Sequence, residues 1–478
     1  MKRALRGFQF IPGTLATLCL FAFFSVPAIS LGQKKSLHRS TGSLTVKKMA
    51  IQRDPVVARM LAEIDAHNIE RTISKLVSFG TRNTLSEQNN PTRGIGAARD
   101  WIYNEFLKIK AESDGRLNVE KQAFEQAKAN RVPQPTMITN IVATLPGTQS
   151  ESTNRTYVVS GHYDSMCTSP TDDRCDAPGA NDDASGVAAV IEMARVMSKR
   201  KFDATIIFMA VAGEEQGLLG STYFAEQAKQ KSLNIEAMFT NDIVGNSLGG
   251  NGVRDRSSVR VFAEGVPSNE TDAEANVRRG VGGENDSASR QLSRFVKEVG
   301  ESYSRGMNVK IIYRRDRYLR GGDHIPFLER GFPAVRFTEP NENYNHQHQN
   351  VRVESGLQYG DLMEFVDVTY IAGVARINAA ALATLALAPA APRNVGLVTK
   401  RLTNDTDLQW DGNKEPDLAG YEIVWRDTTS SLWTNARMVG NVTSYTVKGM
   451  SKDNYFFGVR AVDRTGNRSP VSFPRPVR

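Results

Sequence analysis

The sequence predicts an α/β domain with a mixed, largely parallel central sheet flanked by helices, followed by a small all-β sandwich. Three observations predict it: short apolar runs alternating with helical periodicity between residues 157 and 387, an Ala/Pro-rich break near 386–392, and two-residue alternation beyond it. At 478 residues the chain exceeds one ordinary core, which fits two folded units. Its 40% hydrophobic and 23% charged composition excludes a polytopic membrane protein and a wholly disordered chain.

The elements follow in order. Lys2, Arg3 and Arg6 precede an apolar run over residues 15–24, and small residues follow at Ala28, Ser30 and Gly32. This order predicts a secretory signal peptide over residues 1–32. The run is ten residues long, against the ~20 that a spanning helix needs. No stable transmembrane span is therefore expected after cleavage, and the expected location is secreted or periplasmic. Cleavage removes three positive and no negative charges, so the net charge falls from +8 to 8 − 3 = +5. No dense Lys/Arg patch interleaved with aromatics accompanies this surplus, and no nucleic-acid partner is expected.

Residues 33–50 are basic and aperiodic and predict a flexible lead-in to a domain over 51–388. Apolar residues at helical spacing, such as Val57, Met60, Leu61 and Ile64 and later Trp101, Ile102 and Phe106, predict helices up to residue 110. Strands are expected at 117–124, 139–145, 157–161, 204–211, 238–243, 309–313 and 333–337. Helices are expected at 185–199, 217–229, 286–304 and 357–387. A linker at 389–392 leads to a sandwich over 393–478, with strands at 407–410, 420–425, 444–447 and 455–462.

Of three cysteines, Cys19 leaves with the signal, and Cys167 and Cys175 remain eight positions apart in a Gly-, Pro- and Asp-rich stretch. In an oxidising compartment that spacing predicts a disulfide closing a small loop. No Cys-x-x-Cys spacing supports a thiolate metal site.

The chemistry concentrates at the ends of the predicted strands. His162 follows the first buried strand, and Asp164 lies two residues on, on the same side of an extended chain. A carboxylate that orients a histidine is the usual outer partner of a zinc ligand. Asp182 and Asp183 precede a helix, where an N-cap explains one carboxylate but not both. Glu214 and Glu215 follow a second apolar strand, and Asp242 interrupts a third, where a charge needs a partner. The polar loop after residue 337 offers His346 and His348. In an open parallel sheet such strand ends form the ligand crevice. Histidine and carboxylate ligands without thiolate suit catalytic zinc, and five of them suit two ions sharing a carboxylate. A further carboxylate must then take the proton of water.

These pieces, Gly161-His162-Tyr163-Asp164-Ser165, Gly179-Ala-Asn-Asp182-Asp183-Ala-Ser-Gly186, Gly213-Glu214-Glu215-Gln-Gly-Leu-Leu-Gly-Ser221, Asn241-Asp242 and a late histidine, resemble peptidase family twenty-eight of the metallopeptidases. That family comprises co-catalytic di-zinc exopeptidases, including secreted bacterial leucyl aminopeptidases. The resemblance covers residues from about 54 to 388 and implies the zinc exopeptidase fold and two Zn2+ per chain. It implies His162 and Asp242 on one zinc, Glu215 and His346 on the other, and Asp182 between them. It implies Glu214 as general base and Asp164 as the residue orienting His162. Asp323-His324 resembles the family's Asp-His pair near the substrate, whereas the residues alone read equally as a helix-start cap. The C-terminal segment is similar to a fibronectin type III domain, on Trp410, Tyr421, Tyr455 and the ending Ala461-Val-Asp-Arg-Thr-Gly-Asn-Arg-Ser469.

The expected function is removal of N-terminal residues from peptide substrates by a metal-bound hydroxide. Carboxypeptidases and glutaminyl cyclases share the fold, and a non-catalytic receptor or adhesive protein would lack ligands that are all present here. The C-terminal sandwich carries no catalytic constellation and is assigned to contact with polymer, cell surface or the catalytic domain.

Overall fold

Every residue of the strand Arg155–His162 is buried, and a strand buried on both faces belongs in the middle of a parallel sheet covered by helices. The computed structural model describes residues 53–478; the predicted signal peptide and lead-in lie outside them. Three helices come first, α1 (Pro55–Ala62), α2 (Ala66–Val77) and α3 (Gly94–Glu112). Asp54 and Asp65 cap the first two, each accepting a backbone N–H of the first turn. Then follow β1 (Asn118–Gln126), β2 (Thr136–Leu145), β3 (Arg155–His162), α4 (Ala184–Met197), β4 (Thr205–Val211), α5 (Leu219–Gln230) and β5 (Asn234–Asn241). The domain continues through β6 (Ser258–Phe262), α6 (Asp272–Val281), α7 (Ala288–Tyr303), β7 (Asn308–Ile312), α8 (Ile325–Glu329), β8 (Ala334–Thr338), the hairpin β9 (Arg352–Glu354) and β10 (Leu357–Tyr359), and α9 (Val368–Leu387).

The first eight strands form one sheet in the order β1-β2-β4-β3-β5-β8-β6-β7. Its centre, β4-β3-β5-β8, is parallel. The pairs β1–β2, β2–β4 and β6–β8 are antiparallel, so the sheet is mixed. One face packs on α4, α7 and α9 through Val187, Val190, Phe295, Val299, Ile371 and Ile377. The other packs on α5 and α8 through Phe224, Ala228, Phe327 and Leu328.

Two departures from the predicted elements have identifiable causes. The helix expected over 357–387 starts only at Val368, because Gly356 and Gly360 adopt left-handed φ of 79° and 110° around β10. Asp367 then caps it, accepting the Tyr370 N–H. The 20-residue α9 is long and apolar enough to cross a membrane, yet 83% of its most apolar window is buried inside the protein. It is a core helix. The periodicity also did not single out β6, α6 and, beyond residue 390, three short strands at Gly396–Val398, Asn435–Gly440 and Arg475–Val477, and of these α6 has the plainest cause. No residue of α6 is buried, so no apolar stripe marks it; a Thr271–Glu274 capping box does.

Beyond residue 390 the chain forms β11 (Gly396–Val398), β12 (Thr406–Gln409), β13 (Leu418–Asp427), β14 (Asn435–Gly440), β15 (Ser444–Val447), β16 (Tyr455–Asp463) and β17 (Arg475–Val477). They make two small sheets, β15-β12-β11-β17 and β14-β13-β16, antiparallel except at β11–β17. One core of Leu408, Trp410, Tyr421, Ile423, Phe457 and Val459 lies between them.

This unit is ion-paired to α7 and the residues before it. Asp286 sits between Arg294 Nη1 at 3.0 Å and Arg426 Nη2 at 2.7 Å, with all three side chains buried. Trp433 Nε1 donates to Gln291 Oε1 at 2.9 Å, and Arg460 pairs with Glu298 at 2.9 Å. Because a buried carboxylate that loses one partner bears its desolvation cost, Arg426→Ala is expected to lower stability by about 1–3 kcal/mol. Urea unfolding at fixed zinc concentration checks it, and an unchanged midpoint would make these contacts incidental.

Candidate metal centre

Each candidate ligand stands at the C-terminal end of a parallel strand or in the loop that follows, and the strand order determines which of them meet. His162 ends β3, Glu214 and Glu215 follow β4, and Asp242 follows β5. Asp182 lies in the loop between β3 and α4, and His348 lies in the loop after β8. Adjacent strands therefore bring residues from five separate stretches to one crevice.

The centre of the cluster is Asp182. Its Oδ1 lies 3.1 Å from His162 Nε2, and its Oδ2 lies 2.9 Å from His348 Nε2. His348 Nε2 is also 3.0 Å from Glu215 Oε1, and His162 Nε2 is 3.9 Å from Asp242 Oδ1. Two ligand triads share His162: one with Asp182 and Glu215, one with Glu214 and Asp242.

The predicted His346 does not join them. Its ring stacks on Phe365 with centroids 3.6 Å apart and planes 9° apart, and burial holds its pKa below the ordinary imidazole value. Two residues on, His348 takes a left-handed φ of 48°, and its ring reaches Asp182 and Glu215. The ring beside Asp182 and Glu215 is thus that of His348, and His346 faces Phe365 instead.

Asp164 has a wider part than the sequence suggested. Its backbone oxygen is 3.2 Å from His162 Nδ1, and its carboxylate is 3.6 Å from the same atom. With Nδ1 facing these acceptors, the Nε2 lone pair faces the cluster. The Asp164 carboxylate also accepts the backbone N–H groups of Glu214 and Glu215 at 3.3 and 3.1 Å, and the Thr84 hydroxyl at 3.1 Å. One side chain thus positions a histidine ligand and the turn that carries the candidate base.

Asp183 proves to be the N-cap that the helix start implied, accepting Gly186 N at 3.0 Å. Its second oxygen accepts His162 N at 3.0 Å, which ties the α4 entry to β3. Asp361 accepts the backbone N–H groups of Asn181 and Asp182 at 2.8 and 2.7 Å, and burial pushes it up to about 7. It escaped notice because it falls in the stretch expected to be helix. Asp323 is not a cap: its buried carboxylate makes no hydrogen bond, and burial raises it to about 7. Arg336 was also missed, although a charge inside the apolar run 333–337 carries the same signal that singled out Asp242.

Cys167 and Cys175 form a disulfide. Pro170, inside the loop it closes, accepts Gln216 Nε2 at 2.9 Å and Asn83 Nδ2 at 3.1 Å. Thr168, also inside it, exchanges two hydrogen bonds of 3.2 Å with Asn350. The loop is thus bonded both to the turn after Glu215 and to the segment just past His348.

The donor chemistry fits zinc. Burial opposes protonation of His162 and His348, yet the surrounding carboxylates outweigh it and raise both well above the ordinary imidazole value. Burial likewise pushes Glu214 well up, with Asp242 and Glu215 adding to it against His162. This is a negative field that a multivalent cation satisfies. Glu215 Oε1 is buried, and His348 Nε2 at 3.0 Å is its polar neighbour, the spacing of two donors that turn toward one cation.

Known proteins share this arrangement of sequence. The model of Peptidase family M28 matches residues 140–355, which contain the whole cluster. A probable zinc metalloprotease of Pyrenophora teres f. teres is 52% identical over 426 residues, covering 89% of this chain and 88% of that protein. A probable zinc metalloprotease of Leptosphaeria maculans is 52% identical over 420 residues, covering 88% of this chain and 97% of that one. Among solved structures, LapB from Legionella pneumophila has the same fold, with a TM-score of 0.50 at 18% identity over 72% of this chain and 78% of that chain.

Proposed function

Because the chain belongs to peptidase family M28 and to its zinc metalloproteases, we propose that it is an exported di-zinc aminopeptidase acting on peptides. The observation that carries the two-ion reading is Asp182, whose two oxygens face His162 and His348 separately, as a bridging carboxylate requires. His162 and Asp242 would hold one zinc, Glu215 and His348 the other. When bound, zinc supplies Lewis-acid activation of water and of the scissile carbonyl.

The chain's own groups do the rest. Asp164 fixes the ring of His162 and the backbone of the Glu214–Glu215 turn. Glu214 takes the proton of the attacking water on its carboxylate and passes it to the departing amine, a role suited to a carboxyl that burial raises well above the ordinary carboxylate range. Export is supported by the signal-like N-terminus and by a disulfide, which persists in oxidising compartments. A fibronectin type III identity for the C-terminal unit is supported by its seven strands in two sheets and its Trp410–Tyr421 core pair, 5.3 Å between centroids.

The test is metal analysis combined with three substrate sets: aminoacyl reporters, N-blocked peptides with free C-termini, and peptides with N-terminal Gln. Two zincs per chain and hydrolysis of the first set alone are expected, with activity lost to a chelator and restored by zinc. Release of C-terminal residues from the blocked peptides, or cyclisation of the Gln peptides in place of hydrolysis, would replace the aminopeptidase reading.

A further inference from the structure

Arg336 lies in the middle of β8, fully buried between flanking apolar residues Val335 and Phe337. A guanidinium is placed there only when its charge is answered. Its Nη2 is 2.9 Å from Asp242 Oδ1, and among the described residues no other lysine or arginine pairs with a carboxylate of the metal centre. Its Nη1 is 3.3 Å from Asp316 Oδ2 and donates to the Gly321 carbonyl at 2.8 Å. Asp316 is itself held by Arg317 at 3.1 Å. The two arms thus fix the plane of the guanidinium from opposite sides. The backbone at Gly322 approaches so closely that a Cβ there would lie 3.2 Å from both Arg336 Nη1 and Asp242 Oδ2.

The oxygen that Arg336 engages is the one nearest the opposite ligand, since Asp242 Oδ1 is 3.9 Å from His162 Nε2. Without that grip, Asp242 would sit in a buried crevice beside the carboxylates of Asp182, Asp183 and Glu214, and mutual repulsion would turn it away. We propose that Arg336 is the positioning residue of Asp242, holding its carboxylate toward His162 so that this half of the centre is formed before metal arrives. The inference rests on the di-zinc reading above. Among the described residues no lysine or arginine pairs with Asp182 or Glu215, whose partners are the ring nitrogens of His162 and His348, so the effect is confined to one of the two zinc positions.

The lysine variant separates grip from charge, because an ammonium keeps the charge but lacks the planar fork. Zinc content would be measured on the full chain across a series of buffered free-zinc concentrations, alongside thermal melting. In R336K one zinc equivalent is expected to bind about 10–100-fold more weakly, the usual cost of losing an outer partner of a ligand, while the other is unchanged. In R336M the same equivalent is expected to weaken, with relief of charge repulsion offsetting part of the loss. Both equivalents held at wild-type affinity in R336K, or tighter binding in R336M, would overturn the positioning role. Fewer than two zincs in the wild type would instead remove the di-zinc reading, independently of Arg336.

Discussion

Glu214→Gln is expected to retain zinc at the wild-type content and to lose turnover by about 10²–10⁴-fold, the range that a positioned general base contributes. The amide keeps the shape of the side chain and its place in the turn, whose backbone N–H groups are held by Asp164. It cannot take a proton. The loss should therefore fall on kcat and leave the zinc titration flat. Near wild-type kcat would move the base role to another carboxylate, and Asp323, buried and without a hydrogen-bond partner, is the neighbour to examine first.

The second large effect separates two histidines that the sequence places two residues apart. His348→Ala is expected to weaken one zinc equivalent by at least the ~10–100-fold that an outer-shell loss costs, and to reduce turnover with it. His346→Ala is expected to keep both zincs and to lose only its stacking on Phe365, about 0.5–1.5 kcal/mol of stability. Zinc analysis of the purified variants decides the matter. Loss of metal in the His346 variant with retention in the His348 variant would reverse the assignment.

The pair shows where sequence reasoning reaches its limit. The strand ends carrying His162, Glu215 and Asp242 were legible because a buried parallel strand announces itself as an apolar run, and polar groups at its end have a crevice to face. His346 and His348 lie in a loop without periodicity, where one left-handed residue decides which ring turns inward. Motif order pointed to His346, whereas the ring that faces Asp182 and Glu215 is that of His348. Asp361 was hidden for a related reason: glycines at 356 and 360 break a helix that composition alone would extend. Arg336 was readable in principle, since a charge inside a strand always needs an answer, but its partner Asp316 lies in a separate loop and no spacing links them.

The disulfide loop has a bearing on how firmly one side of the centre is held. Cys167 and Cys175 close the segment whose Pro170 is bonded to Gln216 and whose Thr168 is bonded to Asn350, so one covalent staple steadies both walls of the Glu215–His348 side. In a chain still carrying free thiols those walls are joined by hydrogen bonds alone. Reduction of the pair is therefore expected to loosen the Glu215–His348 side first, while the His162–Asp242 side keeps its own contacts.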